Sequence, residues 1–226
     1  MKFTLLPCLL FWSCIVTHAQ SDSISLLDEA RTKLSNHSAT VSSVLTDKKY
    51  LPIHPHTPFR QLIEANANSA ILKIATPEEP GKKIRVLGTV TDKEGNALSG
   101  ILIYLYQTDS RGWYAANAPH VSQNEGDMRH ARLFGYVRTD AKGNFELHTI
   151  KPSGYPRSDL PAHIHIHVGA DRMRQYVTEL LFDDDDRLVG KIREQALSNK
   201  FIVAKPEKAS VGFDQQFSYR LIMDKN

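Results

Sequence analysis

Residues 162–168 alternate histidine with apolar residues, in the order Ala-His-Ile-His-Ile-His-Val. A period of two is typical of a β-strand, in which successive side chains point to opposite faces of the sheet. Such a strand places His163, His165 and His167 on one face and the isoleucines on the other. Two imidazoles at positions i and i+2 can reach a single ion, and imidazole is the commonest metal ligand in proteins. The segment therefore predicts a metal site on one face of a sheet.

The N-terminus has the composition of a secretory leader. Lys2 supplies a positive charge, residues 5–16 form a short apolar core, and the small residue Ala19 precedes the expected cleavage site. The apolar core is too short to cross a bilayer. We therefore expect a signal peptide over residues 1–19 and a periplasmic or secreted protein. A lipoprotein cleaved before Cys14 is the less favoured alternative, because large residues precede that cysteine.

Composition excludes several kinds of site and partner. The two cysteines, Cys8 and Cys14, both fall within the predicted leader, so the mature chain has no disulfide framework, thiolate metal site or cysteine nucleophile. The 28 Lys+Arg and 25 Asp+Glu residues give a net charge of +3 without a basic stripe, so nucleic acid is not an expected partner. The aspartates at 183–186 lack the spacing and central glycine of a calcium loop and predict a solvated turn.

The chain divides into a helical N-terminal part and a strand-rich remainder. Periodicity predicts a helix over residues 21–36, a Ser/Thr-rich linker over residues 37–58, and a short second helix over residues 59–67. From Ile84 onward, short apolar and aromatic runs are separated by Gly/Asp/Asn turns. The predicted strands are residues 84–90, 101–107, 133–138, 144–150, 163–168, 177–182, 201–205 and 217–223. This pattern predicts an all-β fold, an antiparallel β-sandwich with an N-terminal helical segment.

Two tyrosines occupy turns next to predicted strands. Tyr114 ends the segment Thr-Asp-Ser-Arg-Gly-Trp-Tyr, and Tyr155 lies in a Pro/Gly-containing turn eight residues before His163. Tyrosine is a rare metal ligand because its ordinary pKa is about 10. A trivalent iron can hold it as the phenolate, since a bound cation favours the anionic form. From the residues alone, each tyrosine is either a ligand or an ordinary packing aromatic.

Five sequence blocks, taken in order, resemble the intradiol ring-cleavage dioxygenases of the catechol and protocatechuate type. The blocks are residues 88–92, 135–145, 149–156, 161–165 and 178–182. The resemblance extends over most of the chain that follows the predicted linker. We therefore expect a leader (residues 1–19), an N-terminal helix and linker (residues 20–56) and an intradiol dioxygenase-like β-sandwich domain (residues 57–226).

The resemblance implies a mononuclear non-haem Fe(III) centre and a small aromatic diol as substrate. It implies that the ring is cleaved with O2 to a muconate-type diacid, with the metal as Lewis acid and template. The implied iron ligands are Tyr114, Tyr155, His163 and His165, and His167 has no implied ligand role. One of the tyrosines, which we take to be Tyr155, is implied to leave the metal and to accept a substrate proton as a general base.

Two residues depart from the pattern that the resemblance implies. Leu160 stands where an arginine is expected and Glu179 where a glutamine is expected, both on the substrate side of the metal. Loss of the arginine removes a positive group that could stabilise charge developing on the ring. Arg157 and Arg174 are candidates to supply it. We therefore expect Leu160 and Glu179, together with Tyr155, to determine catalysis.

Two other functions stay open on the sequence alone. The first is a degenerate relative that binds iron or catechols without turnover, and Leu160 and Glu179 favour it. The second is a non-catalytic extracellular β-sandwich that binds carbohydrate or a partner protein, because the block at residues 88–92 also opens such domains. No membrane span is expected. The N-terminal helix either packs against a second subunit, giving a homodimer, or serves as a tether.

Overall fold

The computed structural model describes residues 11–115, 131–169 and 176–223, and side chains from residue 22 onward. The helices are α1 (Phe11–Ser35), α2 (Val41–Thr46), a 3₁₀ helix (Lys48–Ile53), α3 (Thr57–Ala65) and α4 (Gly190–Ser198). The strands are β1 (Ile71–Lys73), β2 (Lys83–Asp92), β3 (Leu102–Gln107), β4 (Leu133–Arg138), β5 (Asn144–Ile150), β6 (His163–Gly169), β7 (Tyr176–Phe182), β8 (Ile202–Ala204), β9 (Pro206–Glu207) and β10 (Gln215–Met223). Of the predicted leader, residues 1–10 lie outside the described part.

The described strands form two five-stranded sheets. Sheet I has the order β1-β5-β2-β10-β9 and sheet II the order β4-β3-β6-β7-β8. The predicted β-sandwich with an N-terminal helical segment is confirmed. The sheets are mixed rather than purely antiparallel, because β1 pairs with β5, β2 with β10, and β7 with β8 in parallel.

The period-two pattern of β6 is confirmed by burial. Ile164 and Ile166 are fully buried between the sheets, whereas His163, His165 and His167 lie on the other face of sheet II. Antiparallel pairing with β3 on one side and β7 on the other makes β6 the central strand of its sheet. The metal-binding face predicted from the sequence is therefore carried by a strand that is hydrogen-bonded along both edges.

The prediction of a linker over residues 37–58 is wrong, because this segment folds against the rest of the chain. At the start of α2, the Thr40 hydroxyl accepts from the backbone N–H of Ser43, and the Ser43 hydroxyl accepts from that of Thr40. The hydroxyl residues that make the composition resemble a linker thus cap a helix. The segment also buries five apolar side chains, Val41, Val44, Leu45, Tyr50 and Ile53.

The predicted N-terminal helix is confirmed as part of α1. Its C-terminal half packs on the same chain, with Ala30 and Leu34 buried and the Tyr50 hydroxyl donating to Glu29 over 3.1 Å. Within the described residues, no helix combines the length and apolar character that a bilayer crossing requires. The sequence analysis did not predict β1, β9 or α4. The two strands have only three and two residues, too few for a periodic pattern to be recognised.

Gly88 lies directly beneath a core aromatic ring. A Cβ atom at Gly88 would come within 2.2 Å of the Phe145 ring, which is itself buried. We expect Gly88→Ala to lower the free energy of unfolding by about 1–3 kcal/mol, because the added methyl group overlaps the Phe145 ring and forces it to shift. Urea unfolding measures the effect. Gly169→Ala is the control, since nothing lies within 4 Å of the Cβ position there; equal losses in the two variants would contradict the packing argument.

Candidate metal centre

Four side-chain donor atoms converge on the outer face of sheet II. The Tyr114 hydroxyl lies 2.6 Å from the Tyr155 hydroxyl and 2.8 Å from Nε2 of His165. The Tyr155 hydroxyl lies 3.1 Å from Nε2 of His163, and the two Nε2 atoms are 3.1 Å apart. The structure thus brings together all four residues predicted as metal ligands, although Tyr114 and His165 are far apart in sequence.

The two imidazoles present lone pairs to this point. Nδ1 of His163 lies 2.8 Å from the carbonyl oxygen of Pro161 and must donate to it, which leaves Nε2 unprotonated in the neutral ring. Nδ1 of His165 faces a carboxylate oxygen of Glu179 at 3.5 Å, which favours the same tautomer. Each Nε2 lone pair can accept from a tyrosine hydroxyl, and the two lone pairs, 3.1 Å apart, can instead bind one cation. The arrangement fits a metal ion.

Burial alone would keep Tyr114 protonated. It raises the pKa of Tyr114 well above its usual value, and the neighbouring Tyr155 hydroxyl raises it further. A bound cation reverses this preference because it stabilises the phenolate directly. Two phenol oxygens with two imidazole nitrogens therefore form a donor set that suits a trivalent ion such as Fe(III), and the residues present fit the group that the sequence resemblance implies.

The two tyrosines lie on adjoining loops that are joined through Ser153. The Thr108 hydroxyl donates to the Ser153 carbonyl over 2.7 Å, and the Ser153 hydroxyl donates to the Ser110 carbonyl over 2.8 Å. Tyr114 ends the first of these loops, and Tyr155 follows Ser153 by two residues in the second. The loop after β3 and the loop after β5 are thus held side by side, which is what brings the hydroxyls together.

Glycine at two positions permits this close approach. A Cβ atom at Gly112, whose φ is +80°, would lie 2.3 Å from the carbonyl oxygen of Gly154. At Gly154 a Cβ atom would lie 2.1 Å from the carbonyl oxygen of Leu160 and 2.5 Å from Nη1 of Arg187. The left-handed φ and the lack of space both exclude larger residues at Gly112. The tyrosine loops therefore depend on these glycines for their contact.

A buried ionic network anchors the Tyr114 loop. The backbone N–H of Arg132 donates to the Tyr114 carbonyl over 2.8 Å, and its guanidinium pairs with both carboxylate oxygens of Glu79 at 2.6 and 2.7 Å. Asp109 lies 3.7 Å from the same guanidinium and accepts from the backbone N–H of Trp113 over 3.0 Å. The network fixes the loop at both ends of its turn.

His54 connects the N-terminal helices to this network. It is fully buried and stacks on Phe59 with ring centroids 5.2 Å apart. Burial lowers the pKa of His54 to about 4, so the ring is neutral near pH 7, and its Nδ1 donates to the Arg132 carbonyl over 2.9 Å. The segment predicted as a linker thus helps to position the strand that supports Tyr114.

Tyr106 is a site residue that the sequence analysis missed. It pairs with His165 across β3 and β6, and the two rings stack with centroids 4.3 Å apart and planes 12° apart. The alternation of Tyr104 and Tyr106 with aliphatic residues is the sequence signal, because it places both rings on one face of β3. His167 lies one step further along β6, opposite Tyr104, and burial lowers its pKa.

Comparison with known proteins agrees with this arrangement. A family model described as "Dioxygenase" matches residues 57–225. The chain belongs to the intradiol dioxygenase family. It is 26% identical to catechol 1,2-dioxygenase 1 of Acinetobacter lwoffii over 138 residues, which is 54% of this chain and 43% of the relative. It is 30% identical to catechol 1,2-dioxygenase of Candida albicans over 173 residues, which is 70% of this chain and 52% of the relative.

A solved structure supports the fold of this dioxygenase family member. The dioxygenase domain of a dioxygenase carbohydrate-binding protein fusion from Streptomyces sp. SirexAA-E has a TM-score of 0.53 and 24% identity. The alignment covers 68% of this chain and 87% of that domain. At this identity the likeness concerns the fold alone. The chain spans about half the length of the catechol dioxygenases it matches.

Glu179, expected on the substrate side, contacts a predicted metal ligand. It lies directly opposite His165 on β7, with Oε1 3.5 Å from Nδ1 of His165. Among the described residues, His163, His165 and Glu179 form the His/Asp/Glu cluster whose ligand atoms all lie within 4.8 Å of one another. Glu179 therefore lies next to Nδ1 of His165, the ring nitrogen that faces away from the other three predicted ligands.

The other predicted substrate-side positions lie on the loop that carries Tyr155. Leu160 is 50% exposed, and its carbonyl accepts from Nη1 of Arg187 over 3.3 Å. Arg187 also donates to the Tyr155 carbonyl over 3.2 Å, so it is a cation beside this loop that the sequence analysis did not single out. Arg157 is exposed, with a left-handed φ of 61°. Arg174 lies outside the described residues.

The aspartates at 183–186 form a turn, as predicted, but they are more than a solvated surface. Asp185 accepts from the backbone N–H of Ala162 over 2.9 Å, directly before β6 begins. Asp184 pairs with Lys151 at 2.7 Å, in the segment that leads to Tyr155. The turn after β7 therefore fastens the chain on both sides of the Tyr155 loop.

The buried ion pair that anchors the Tyr114 loop predicts that removing the Glu79 carboxylate destabilises the protein more than removing that of the neighbouring Glu78. Glu79→Ala leaves the Arg132 guanidinium largely unpaired in a buried position, and we expect a loss of about 3 kcal/mol in the free energy of unfolding. Glu78→Ala is the matched control and should cause no measurable change, because Glu78 pairs with Lys48 on the exposed surface. Urea unfolding of both variants measures the difference; similar midpoints would show that the buried pair is not an anchor.

Proposed function

We propose that this protein is a secreted Fe(III) intradiol dioxygenase that cleaves a catechol-type aromatic ring with O2 to a muconate-type diacid. The observation that carries the proposal is the convergence of Tyr114, Tyr155, His163 and His165, whose donor atoms lie 2.6–3.5 Å apart. Bound ferric iron would supply Lewis-acid activation of the aromatic diol. The predicted leader supports secretion.

The chain's own residues supply positioning and proton transfer. Tyr155, as the phenolate that a bound ferric ion would stabilise, is the proposed acceptor for a proton from a substrate hydroxyl, because its oxygen lies among the donors on a loop whose outer end, at Leu160, is half exposed. Tyr106 holds the His165 ring by stacking on its face. The exposed side chain of Leu160 offers an apolar surface at the loop that bears Tyr155.

A degenerate, iron-binding protein without turnover is the second candidate function. Leu160 and Glu179 favour it, because a cation is replaced by an apolar side chain and a negative charge faces His165. Arg187 weighs against it, since its guanidinium lies beside the carbonyls of Tyr155 and Leu160 and keeps a positive charge near this loop. A binding module without metal is disfavoured because two tyrosine oxygens and two histidine nitrogens, a donor set that suits a metal ion, converge at one point.

The first prediction for this function concerns iron content. We expect His163→Ala and His165→Ala each to lose most of the bound iron while circular dichroism stays unchanged, because each variant removes one of the converging nitrogen donors. His167→Ala is the matched control on the same strand face and should keep its iron. Metal analysis of the purified, iron-reconstituted variants decides this, and full occupancy in His163→Ala would refute the ligand assignment.

The second prediction concerns the substrate. We expect catechol or an alkyl-catechol to drive O2 uptake faster than protocatechuate, because the Glu179 charge repels a substrate carboxylate by on the order of a few kcal/mol and Leu160 offers no cation. Glu179→Gln should narrow the difference between the O2-uptake rates with catechol and with protocatechuate. Leu160→Arg should raise the rate of O2 uptake.

An oxygen electrode with the iron-loaded protein measures these rates. Faster turnover of protocatechuate than of catechol would contradict the charge argument. Absence of O2 uptake with every catechol tested, in a protein that holds ferric iron, would support the iron-binding protein without turnover.

A further inference from the structure

The two histidines of the donor set have different partners at their outer nitrogen. Nδ1 of His163 donates to a neutral backbone carbonyl, that of Pro161. Nδ1 of His165 faces the carboxylate of Glu179. The two rings are two residues apart on one strand, so the same sheet face offers a neutral and an anionic environment side by side.

The contact between Glu179 and His165 is set by strand register rather than by a flexible side chain. The two residues are directly paired across β6 and β7, and β6 is central in its sheet. Both side chains are largely buried, at 26% and 16% exposure for Glu179 and His165 respectively. Tyr106 covers one face of the His165 ring, which restricts its rotation. The carboxylate therefore has a fixed partner in a partly desolvated place.

We propose that Glu179 is a positioning residue for His165 that also sets the charge of the metal site, and the proposal rests on the proposed function, which supplies the ferric ion. A carboxylate beside the outer nitrogen of a histidine ligand favours the tautomer that carries its proton there and makes the ring a stronger donor. The Glu179 carboxylate also adds one negative charge to the two that the phenolates would bring to Fe(III). A neutral glutamine at this position would not add it.

Two measurable properties follow from the negative charge that Glu179 adds to the site. The additional negative charge stabilises the ferric over the ferrous state, so it lowers the midpoint potential. It also raises the energy of tyrosinate-to-iron charge transfer, because the ferric ion becomes a weaker electron acceptor. Neither property requires turnover.

The test compares three variants of the full, iron-loaded chain. Glu179→Gln keeps the shape and an acceptor oxygen but removes the charge, and we expect a higher Fe(III)/Fe(II) midpoint potential and a visible band at longer wavelength, with iron retained. Glu179→Leu also removes the acceptor, and we expect iron affinity to fall about 10- to 100-fold. Glu94→Gln is the charge-matched control, because Glu94 is exposed in the turn after β2, in the other sheet.

The outcomes separate this proposal from the proposed function. A ferric, coloured wild-type protein whose potential and band are the same in Glu179→Gln would overturn the role of Glu179 and leave the function intact. Equal shifts in Glu179→Gln and Glu94→Gln would also overturn it, since they would reflect net charge alone. A wild-type protein that binds no iron would instead remove the proposed function and this inference with it.

Discussion

The convergence of four donor atoms on one point is the constraint on which the candidate site depends. Nε2 of His163 and Nε2 of His165 face each other over 3.1 Å, and the hydroxyls of two buried tyrosines meet them within hydrogen-bonding distance. The four donors come from separate parts of the chain, so the scaffold must hold them together for one cation to bind among them. The surrounding contacts serve that purpose.

Each pair of donors is held by a different device. The histidines are fixed by the register of a central strand, where the isoleucines on the opposite face are buried between the sheets. The tyrosines are fixed by loops that touch at Gly112 and Gly154. The Arg132–Glu79 ion pair holds the loop that carries Tyr114. The aspartate turn at residues 183–186 holds the loop that carries Tyr155.

Local pattern in the sequence was enough to predict most of the sandwich and the shared strand face of the histidines, whereas the two tyrosines were proposed as ligands only through the family resemblance. The strand period of β6 placed its histidines correctly, because register follows from which face is buried. Contacts between distant residues were not predictable: nothing near Arg132 in the sequence points to Glu79, and nothing near Ala162 points to Asp185. The linker was mispredicted because capping serines and threonines have the same composition as a solvated loop.

Glu179 shows how a correct position can carry a different role. Its placement beside the site followed from the family resemblance, but its contact with Nδ1 of His165 depends on cross-strand pairing, which a single sequence does not reveal. The family is established by the match over residues 57–225, whereas activity and substrate rest on the chemistry of this chain's own donors.

The visible absorption spectrum of the iron-loaded protein tests the central claim, a ferric site bound by two tyrosinates. We expect a charge-transfer band that is absent from the metal-free and zinc-loaded protein. Tyr114→Phe and Tyr155→Phe should each shift or weaken it, because each removes a phenolate while keeping most of the packing shape. A colourless ferric protein, or a band unchanged in both variants, would contradict the account.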